Sequence, residues 1–275
     1  MKRIDKSVFG PWAIVTGASS GIGKEFARQL AADGLNVVLV ARRVSILEEI
    51  GRDFAGQFGV RYRAVQADLA HEDFLEKLAA AAADLDVGLV VSNAGVSANR
   101  EFLAAKPATL LESVQLNVVA HLRLAHHFGN RLATRGRGGL LLVSSLMGLQ
   151  GVPYMADYAA AKAFILSLGE ALHSELYRRG VRVTVLLPGP VDTPMLDELG
   201  LMPADLPMRP MSTERCVAEG LAALASGTAT RVAGRMNRVM TTLMPRSLTV
   251  KMLGDMNAKI LARGERDEEP QDRNA

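Results

Sequence analysis

The chain has 275 residues, 49% of them hydrophobic, with a formal net charge of +3 and a single cysteine, Cys216. This length fits one large α/β domain, and one cysteine excludes an internal disulfide and suggests no metal cluster. The small, evenly spread charge argues against nucleic acid binding, and the lack of a signal-peptide core or of an apolar run of about 18 residues predicts a soluble, cytoplasmic protein.

Short β-branched segments alternate with longer helical patterns along the chain. The predicted strands are residues 12–16, 37–41, 61–67, 85–92, 140–144, 181–187 and 231–233, and the predicted helices are residues 22–32, 45–58, 71–82, 107–135, 156–179 and 213–225. Several strands are apolar nearly throughout, as in parallel strands buried on both faces of a sheet. The alternation predicts a doubly wound α/β sheet, in which ligands bind beyond the carboxyl ends of the strands.

The first predicted strand ends in the segment TGASSGIG, residues 16–23, which runs directly into a helix. Its glycines allow a tight turn, close approach of the backbone to a pyrophosphate, and contact between helix and sheet, and the helix N-terminus offers unpaired N–H groups to the phosphates. The segment therefore predicts dinucleotide binding, and the alternative is a glycine turn without a ligand. The predicted cofactor-binding residues here are Gly17, Ser19, Ser20, Gly21, Ile22 and Gly23.

The second predicted strand ends at Ala41, which is followed by Arg42 and Arg43. In a dinucleotide site, an acidic residue at the position of Ala41 would hold the ribose 2′-hydroxyl. Here no carboxylate repels a 2′-phosphate, and a guanidinium can bind that phosphate bidentately. The sequence therefore predicts NADP(H) in preference to NAD(H), bound by Arg42 and Arg43. In the alternative interpretation both arginines are solvated in a loop.

Tyr158 and Lys162 lie four residues apart in the helical segment YMADYAAAKAFI, residues 154–165. At about 100° per residue, both side chains fall on or beside the core-facing stripe that continues through Ile165 and Leu172. A buried ammonium group without partners costs several kcal/mol, so Lys162 must be paired or used in chemistry. On these residues alone, a lysine that extends to solvent beside a tyrosine that caps a backbone group is an equal alternative.

Three further strands end in polar or glycine-rich segments: SNAG at residues 92–95, VSS at residues 143–145 and LLPGPVDTP at residues 186–194. Each segment is ordinary by itself, and a structural turn explains SNAG equally well. Together they place polar groups or glycines at the ligand end of every central strand.

The motifs TGxxxGxG, NAG, a serine thirteen residues before YxxxK, and PG followed by Thr193 occur in this order and resemble the short-chain dehydrogenase/reductase family over roughly residues 10–195. The resemblance implies a single Rossmann-type domain with a seven-stranded, mainly parallel sheet. It implies NAD(P)(H)-dependent hydride transfer to or from a carbonyl or alcohol group. It also implies a homodimer or homotetramer assembled through the helices at residues 107–135 and 156–179.

The resemblance implies catalytic roles for four residues. Tyr158 is the general acid/base, and Lys162, together with the positive nicotinamide of the oxidised cofactor, lowers the pKa of Tyr158 and binds the ribose. Ser145, which the spacing to Tyr158 selects over Ser144, binds the substrate oxygen. Asn117 anchors a water relay to the lysine, although the residues alone leave a solvent-facing asparagine as the alternative.

The family positions also imply cofactor contacts at the other strand ends. These residues are Asp68, Leu69, Asn93, Ala94, Gly95, Tyr158, Lys162, Pro188, Gly189, Val191 and Thr193. Asp68 could at the same time cap the N-terminus of the following helix. His121, His126 and His127 are scattered on a helix and are interpreted as surface or interface residues.

Residues 195–211 occupy the family's variable substrate loop and include four methionines and four leucines, and eleven of the twelve methionines of the chain lie after residue 146. Methionine adapts to irregular ligands, although it fills irregular cores equally well. We expect an apolar carbonyl substrate such as a lipid-like ketone. The predicted substrate contacts are Ser145, Met147, Tyr154 and Met195.

The sequence departs from many family members after the predicted catalytic domain at residues 1–234. Residues 220–254 contain five Arg or Lys residues and no acid, and the apolar stripe comprises Met236, Val239, Met240, Leu243 and Met244. This basic amphipathic extension, residues 235–262, could contact an anionic membrane surface, cap the substrate pocket or pack on a partner subunit. Residues 263–275 are polar and predicted to be disordered.

Two other functions compete with an NADP(H)-dependent carbonyl reductase or alcohol dehydrogenase. A non-catalytic NADP(H)-binding sensor needs no proton donor, so the combination of Ser145, Tyr158 and Lys162 argues against it. A sugar-nucleotide epimerase is disfavoured by the glycine spacing and by the short chain after the lysine.

Overall fold

The computed structural model describes residues 4–206 and 209–268, apart from the side chains of residue 203 and residues 264–268. Its strands are β1 (Trp12–Thr16), β2 (Asn36–Ala41), β3 (Tyr62–Gln66), β4 (Val87–Ser92), β5 (Gly138–Val143), β6 (Val181–Leu187) and β7 (Thr230–Val232). They form one sheet in the order β3-β2-β1-β4-β5-β6-β7, and all neighbouring strands are parallel. The predicted seven-stranded, doubly wound sheet is confirmed.

Helices connect the strands and cover both faces of the sheet. They are α1 (Lys6–Phe9), α2 (Gly21–Ala32), α3 (Val44–Phe58), α4 (Phe74–Ala81), α5 (Pro107–Val114), α6 (Ala120–Arg135), α7 (Ala156–Tyr177), α8 (Pro194–Glu198), α9 (Thr213–Ser226), α10 (Arg235–Leu243) and α11 (Arg246–Glu268). On one face Phe26 and Val217 pack against the sheet in one core cluster, and on the other face Phe74 and Leu124 pack in a second. The apolar strands between them are buried on both sides, as their sequences predict.

The strand order reverses between β1 and β4, because the chain leaves β1 toward β2 and β3 and returns to place β4 on the other side. In doubly wound sheets this reversal opens a crevice at the carboxyl ends of the strands, where ligands bind. Strands β1, β4, β5 and β6 all end at this edge, and the segments that follow them begin there. The fold therefore brings the motifs at residues 16–23, 92–95, 143–145 and 186–194 to one side of the sheet.

The predicted helix at residues 107–135 contains a π-helical turn, Gln115–Val119, between α5 and α6. Such turns are rare and frequently lie at functional sites. This one carries Asn117, which is fully buried. A pattern of apolar residues in the sequence does not reveal a local change from an α-helical to a π-helical turn, so the prediction of one regular helix missed it.

Two predictions on helix ends are wrong. Asp68 does not cap α4, because α4 begins at Phe74 with Asp73 as its N-cap residue, and Asp68 instead accepts a hydrogen bond from the Ala70 N–H at 3.0 Å. The predicted disordered tail begins too early, because α11 extends to Glu268, and residues 269–275 lie outside the described residues. No helix in the described ranges has the length and hydropathy needed to cross a bilayer.

Candidate active site

One large cleft, with a volume of about 1390 Å³, lies at the carboxyl edge of the sheet. It has a cofactor end, where the segments after β1, β2 and β4 meet, and a substrate end, which residues 194–206 and helices α10 and α11 enclose. Every residue predicted to bind the cofactor lines this cleft, as do Ser145, Met147 and Met195. The structure thus brings together residues that are spread over more than 170 positions of the sequence.

The turn between β1 and α2 depends on its glycines. Gly17 and Gly21 have positive φ angles of 68° and 51°, which glycine adopts without steric cost. A Cβ atom at Gly23 would clash with the carbonyl oxygen of Gly17. Ser20 is the N-cap residue of α2, but its side chain makes no capping hydrogen bond, so the first N–H groups of α2 face the cleft without a side-chain partner. This geometry fits a bound pyrophosphate.

Thr16 joins this turn to the SNAG segment. Its Oγ1 accepts hydrogen bonds from the N–H groups of Asn93 at 2.9 Å and Ala94 at 3.1 Å, and the Asn93 side-chain amide donates to the Thr16 carbonyl at 3.0 Å. This role of Thr16 was not predicted from the sequence. The signal was a hydroxyl residue at the end of a buried, otherwise apolar strand.

At the end of β2, Arg42 and Arg43 are exposed on the rim of the cofactor end. Arg43 Nη2 donates to Ser19 Oγ at 3.3 Å, which holds the guanidinium beside the glycine-rich turn. Within residues 4–206 and 209–268, neither guanidinium has a carboxylate partner. In the described part of the chain, two guanidinium groups without a carboxylate partner therefore lie at the rim of the cleft after β2.

Tyr158 and Lys162 lie on α7 and are 8% and 3% exposed. Lys162 Nζ donates to the Val143 carbonyl at 3.1 Å and lies 5.5 Å from the centre of the Tyr158 ring. The alternative in which the lysine extends to solvent is therefore wrong. Both groups line the cleft, so a buried cation and a phenol face the space where a ligand would sit.

The electrostatics of this pair differ from the expectation. Burial raises the pKa of Tyr158 to about 12, which a hydrogen bond with Ser145 partly opposes. Burial lowers the pKa of Lys162 to about 8. The expected lowering of the Tyr158 pKa does not occur in the chain by itself, because removal of the phenol from water dominates and the hydrogen bond with Ser145 opposes it only in part.

The two serines after β5 have different surroundings. Ser144 is buried, and its hydroxyl donates to the Lys162 carbonyl at 2.7 Å, which ties β5 to α7. Ser145 lines the cleft, interacts with the Tyr158 phenol, and accepts a hydrogen bond from the Met147 N–H at 3.2 Å. Of the two, Ser145 has its hydroxyl on the cleft.

Asn117 is held by the segment that follows SNAG. Its side-chain amide donates to the Val96 carbonyl at 2.8 Å, and its Oδ1 accepts from the Val96 N–H at 3.1 Å, so the solvent-facing alternative is wrong. A Cβ atom at Gly95 would lie 2.8 Å from Asn117 Oδ1 and 3.3 Å from Lys162 Nζ. The glycine therefore allows the asparagine and the lysine to approach the same point, and the water relay stays a prediction.

His121 is not a surface residue, which corrects the prediction. It is 1% exposed, its Nε2 donates to the Ala94 carbonyl at 3.0 Å, and its Nδ1 accepts from Ser92 Oγ at 2.8 Å, because a carbonyl can only accept. Burial, together with the charge of Lys162, lowers the His121 pKa to about 3. The ring is therefore neutral at physiological pH and fixes the end of β4. His126 is exposed and His127 is half-buried.

Tyr154, a predicted substrate contact, does not line the cleft. Its backbone is left-handed, with φ of 66°, and its carbonyl accepts a hydrogen bond from the Arg100 N–H at 2.8 Å. The segment before α7 therefore turns sharply at Tyr154 and presents Met155 to the cleft instead. This position argues against the predicted substrate contact, and a left-handed tyrosine has no sequence signature.

The substrate end is lined by methionines from several segments. They are Met147, Met155, Met195, Met211, Met236, Met240, Met244, Met252 and Met256. Residue Met208 of the predicted substrate loop lies outside the described residues. The C-terminal segment thus covers the cleft, which agrees with one of the three alternatives for it, and contact with a membrane stays a prediction.

Asn237 on α10 was missed by sequence reasoning. It is 8% exposed, it lines the cleft, and its side-chain amide donates to the Ala233 carbonyl at 2.7 Å. A Cβ atom at Gly189 would lie 2.6 Å from Asn237 Nδ2, so the glycine allows α10 to pack directly on the segment after β6. An asparagine inside an apolar helical stripe was the available signal.

Comparison with known proteins agrees with this geometry. The family model for short chain dehydrogenases matches residues 11–203. The chain belongs to the short-chain dehydrogenase family. Like other members, it is an oxidoreductase that acts on hydroxyl or carbonyl groups.

Three relatives illustrate the similarity of this short-chain dehydrogenase to characterised members. A 7β-hydroxysteroid dehydrogenase of Mediterraneibacter gnavus is 33% identical over 188 residues, which are 68% of this chain and 72% of the relative. A 7β-hydroxysteroid dehydrogenase structure superposes with a TM-score of 0.82 at 28% identity, covering 90% of this chain and 98% of that one. A short-chain dehydrogenase from Sphingobium yanoikuyae in complex with NADPH superposes with a TM-score of 0.77 at 26% identity, covering 97% and 99%.

Proposed function

We propose that this short-chain dehydrogenase transfers hydride between NADP(H) and an apolar, steroid-sized carbonyl or alcohol substrate. One observation carries the proposal. The buried Tyr158–Lys162 pair, with Ser145 beside the phenol, lines the same cleft as a glycine-rich phosphate turn and a methionine-rich wall. The relatives named as 7β-hydroxysteroid dehydrogenases support the size of the substrate.

The residues of the cleft divide the work of carbonyl reduction. NADPH, when bound, supplies the hydride. Tyr158 donates its phenolic proton to the carbonyl oxygen as negative charge develops there, and Ser145 donates a hydrogen bond to the same oxygen. A phenol with a pKa of about 12 holds its proton at neutral pH, so Tyr158 is in the protonated form that carbonyl reduction requires. Lys162, with a pKa of about 8, is charged at pH 7 and stabilises the phenolate that remains.

The preference for NADP(H) is supported by the unpaired cations at the end of β2. A guanidinium that binds a phosphate contributes a charge-assisted hydrogen bond, and Ala41 offers no carboxylate to the 2′-position. We expect Arg42→Ala or Arg43→Ala to reduce the ratio of NADPH to NADH affinity by about tenfold, measured by cofactor fluorescence titration. Arg52→Ala, on the exposed side of α3, is the matched control and should keep the wild-type ratio. Equal affinities of the wild type for the two cofactors would overturn the preference.

The function itself is tested by NADPH oxidation with a panel of polycyclic ketones, wild type against Tyr158→Phe. Loss of a general acid reduces turnover by roughly 100-fold or more, while NADPH binding should persist because the phosphate turn is unchanged. Equal turnover by both proteins would exclude Tyr158 as the acid. Tight NADPH binding without turnover of any ketone by the wild type would favour the NADP(H)-binding sensor.

We also propose that the protein forms a dimer through the long helices. Leu111 on α5, Leu122 on α6 and Phe164 on α7 are 69%, 42% and 38% exposed. Apolar surface is therefore exposed on both predicted assembly helices, residues 107–135 and 156–179. Leu111→Glu should shift the protein toward the monomer in light scattering. Leu103→Glu is the control, because Leu103 is 94% exposed but precedes α5. A wild type that is monomeric at micromolar concentration would exclude this interface.

A further inference from the structure

The substrate end of the cleft combines an apolar wall with unneutralised cations. Arg235 and Arg246 are exposed, line the cleft beside the methionines of α10 and α11, and have no carboxylate partner in the described part of the chain. Two carboxylates also line this end. Asp205 is neutralised by Arg263 at 2.8 Å, which leaves Glu198 as the exposed acid on this wall. Arg235 and Arg246 therefore give the substrate end a positive charge of its own. This charge is separate from that of Arg42 and Arg43, which follow β2.

Helix α11 links one of these cations, along one cleft-lining face, to the apolar cluster around Tyr158. The residues of α11 that line the cleft are Arg246, Thr249, Met252, Leu253 and Met256, which lie on one face of the helix. Leu253 packs in the apolar cluster that contains Tyr158. Arg246 precedes Leu253 by seven residues, which is about 10 Å along a helix axis. The face of α11 that lines the cleft therefore runs from a residue in the apolar cluster of Tyr158 to a cation at the start of the helix.

The other end of α11 fixes this arrangement. Asn257, which is 2% exposed, donates to the Pro153 carbonyl at 3.0 Å, so the helix is attached beside the segment that leads to α7. Arg263 donates to Asp205 and to the Gly200 carbonyl at 2.6 Å. Both attachments lie on the C-terminal side of Leu253. Arg246 is the first residue of α11 and lies on the N-terminal side of both attachments.

We propose that Arg246 binds an anionic oxygen group, a carboxylate or a phosphate, at the far end of an elongated apolar carbonyl substrate. The inference rests on the proposed function and narrows its substrate class from apolar to amphipathic. A guanidinium binds either anion bidentately, and the methionine wall between Arg246 and Tyr158 accommodates the apolar body of the molecule. Arg235, at the start of α10, adds to the same positive potential.

The test compares a polycyclic ketone whose side chain ends in a carboxylate with its methyl ester and with a phosphate-ended analogue. For the wild type we expect kcat/KM for the carboxylate to exceed that for the ester, mainly through KM. Arg246→Ala should reduce this ratio by about tenfold, and Arg246→Lys should restore part of it, because a lysine keeps the charge but not the bidentate geometry. Arg52→Ala should keep the wild-type ratio. The phosphate-ended analogue shows which anion Arg246 prefers. The preferred anion is the one whose compound loses more affinity on Arg246→Ala.

Two outcomes separate this inference from the proposed function. If the wild type reduces the acid and the ester equally well, Arg246 recognises no anion and the inference fails, whereas the proposed function stands. If neither compound is reduced, the proposed function fails, and calorimetric binding of both compounds to the NADPH-saturated protein still tests Arg246. Equal affinities for acid and ester in that measurement, in wild type and Arg246→Ala alike, would overturn the inference.

Discussion

The cofactor end and the substrate end of the cleft are constructed in different ways. At the cofactor end, backbone atoms at the strand ends form the surface, and Gly17, Gly23 and Gly95 allow other groups to approach where a side chain would clash. At the substrate end, flexible side chains form the surface, and they come from residues 194–206, α10 and α11. The first surface has one shape fixed by the sheet, and the second can adapt to its ligand.

The attachments of the two ends differ in the same way. The cofactor end is continuous with the sheet, and Thr16 and His121 add hydrogen bonds between neighbouring strand ends. The substrate end is held by separate contacts between distant segments, among them those of Asn257 and Arg263. A surface held in this way has more freedom to change its shape than one that continues from the sheet. The predicted phosphate turn therefore lies on a surface fixed by the sheet, and the predicted substrate contacts lie on a surface formed by side chains.

The largest expected effect comes from a methyl group at the rigid end. A Cβ atom at Gly23 would clash with the backbone of Gly17, which cannot move without disturbing β1. We expect Gly23→Ala to lower the free energy of unfolding by about 3 kcal/mol or more and to abolish NADPH binding. Denaturant titration and cofactor fluorescence measure the two effects.

A matched glycine controls for the change of residue type. Gly56 is exposed in α3, and a Cβ there would meet nothing within 4 Å, so Gly56→Ala should raise the free energy of unfolding by about 0.5–1 kcal/mol. If Gly23→Ala keeps both stability and NADPH affinity, the turn is not rigid. The contrast between the two ends would then be lost.

Most of the cofactor end could be predicted from the sequence because its chemistry is local. TGASSGIG, SNAG and PG each lie at the end of an apolar strand, and parallel strands bring such ends to one edge. The sequence did not reveal properties of a residue that depend on contacts with distant parts of the chain. The pKa of Tyr158 depends on its burial, the position of Asn117 depends on a π-helical turn, and His121 is buried because Ser92 and Ala94 lie beside it.

The substrate end was harder to predict because its residues are distant in sequence and its helices have no strand to orient them. Composition indicated an apolar, methionine-rich site. The apolar stripe of α10, together with the basic residues around it, indicated an amphipathic helix. Neither pattern determines that Asn257 attaches α11 to Pro153 or that Tyr154 turns away with a left-handed backbone. Such contacts depend on tertiary packing, which outweighs local preference.

The next largest effect concerns Lys162, which lies between the two ends of the cleft, and the pH dependence of stability that its burial causes. Burial lowers the pKa of Lys162 to about 8 from an ordinary value of 10.5, so between pH 8 and 10.5 the unfolded chain binds more protons than the folded one. Stability from this group therefore rises with pH across that window, by on the order of 3 kcal/mol. Lys162→Met removes the rise. Its stability relative to the wild type should be greatest below pH 8 and should decline toward pH 10.5.

Urea unfolding of both proteins at several pH values tests this sign. The folded pKa values of Tyr158 and Cys216, both raised to about 12 by burial, lower the stability above pH 9 to 10, but they do so in both proteins and cancel in the difference. A difference between wild type and Lys162→Met that does not vary with pH would show that the ammonium is solvated. Lys162 would then be exposed to water between the two ends of the cleft, and not buried.

The smallest expected effect concerns the attachment of the adaptable end. Asn257→Ala removes the hydrogen bond to the Pro153 carbonyl and should cost about 1 kcal/mol of stability. Because α11 covers the substrate end, KM for a polycyclic ketone should rise while NADPH affinity stays at the wild-type value. Asn130→Ala, an exposed asparagine on α6, is the control for both readouts. A parallel loss of NADPH affinity in Asn257→Ala would show that the two ends are coupled, because a separately attached wall can loosen without disturbing the glycine-rich turn.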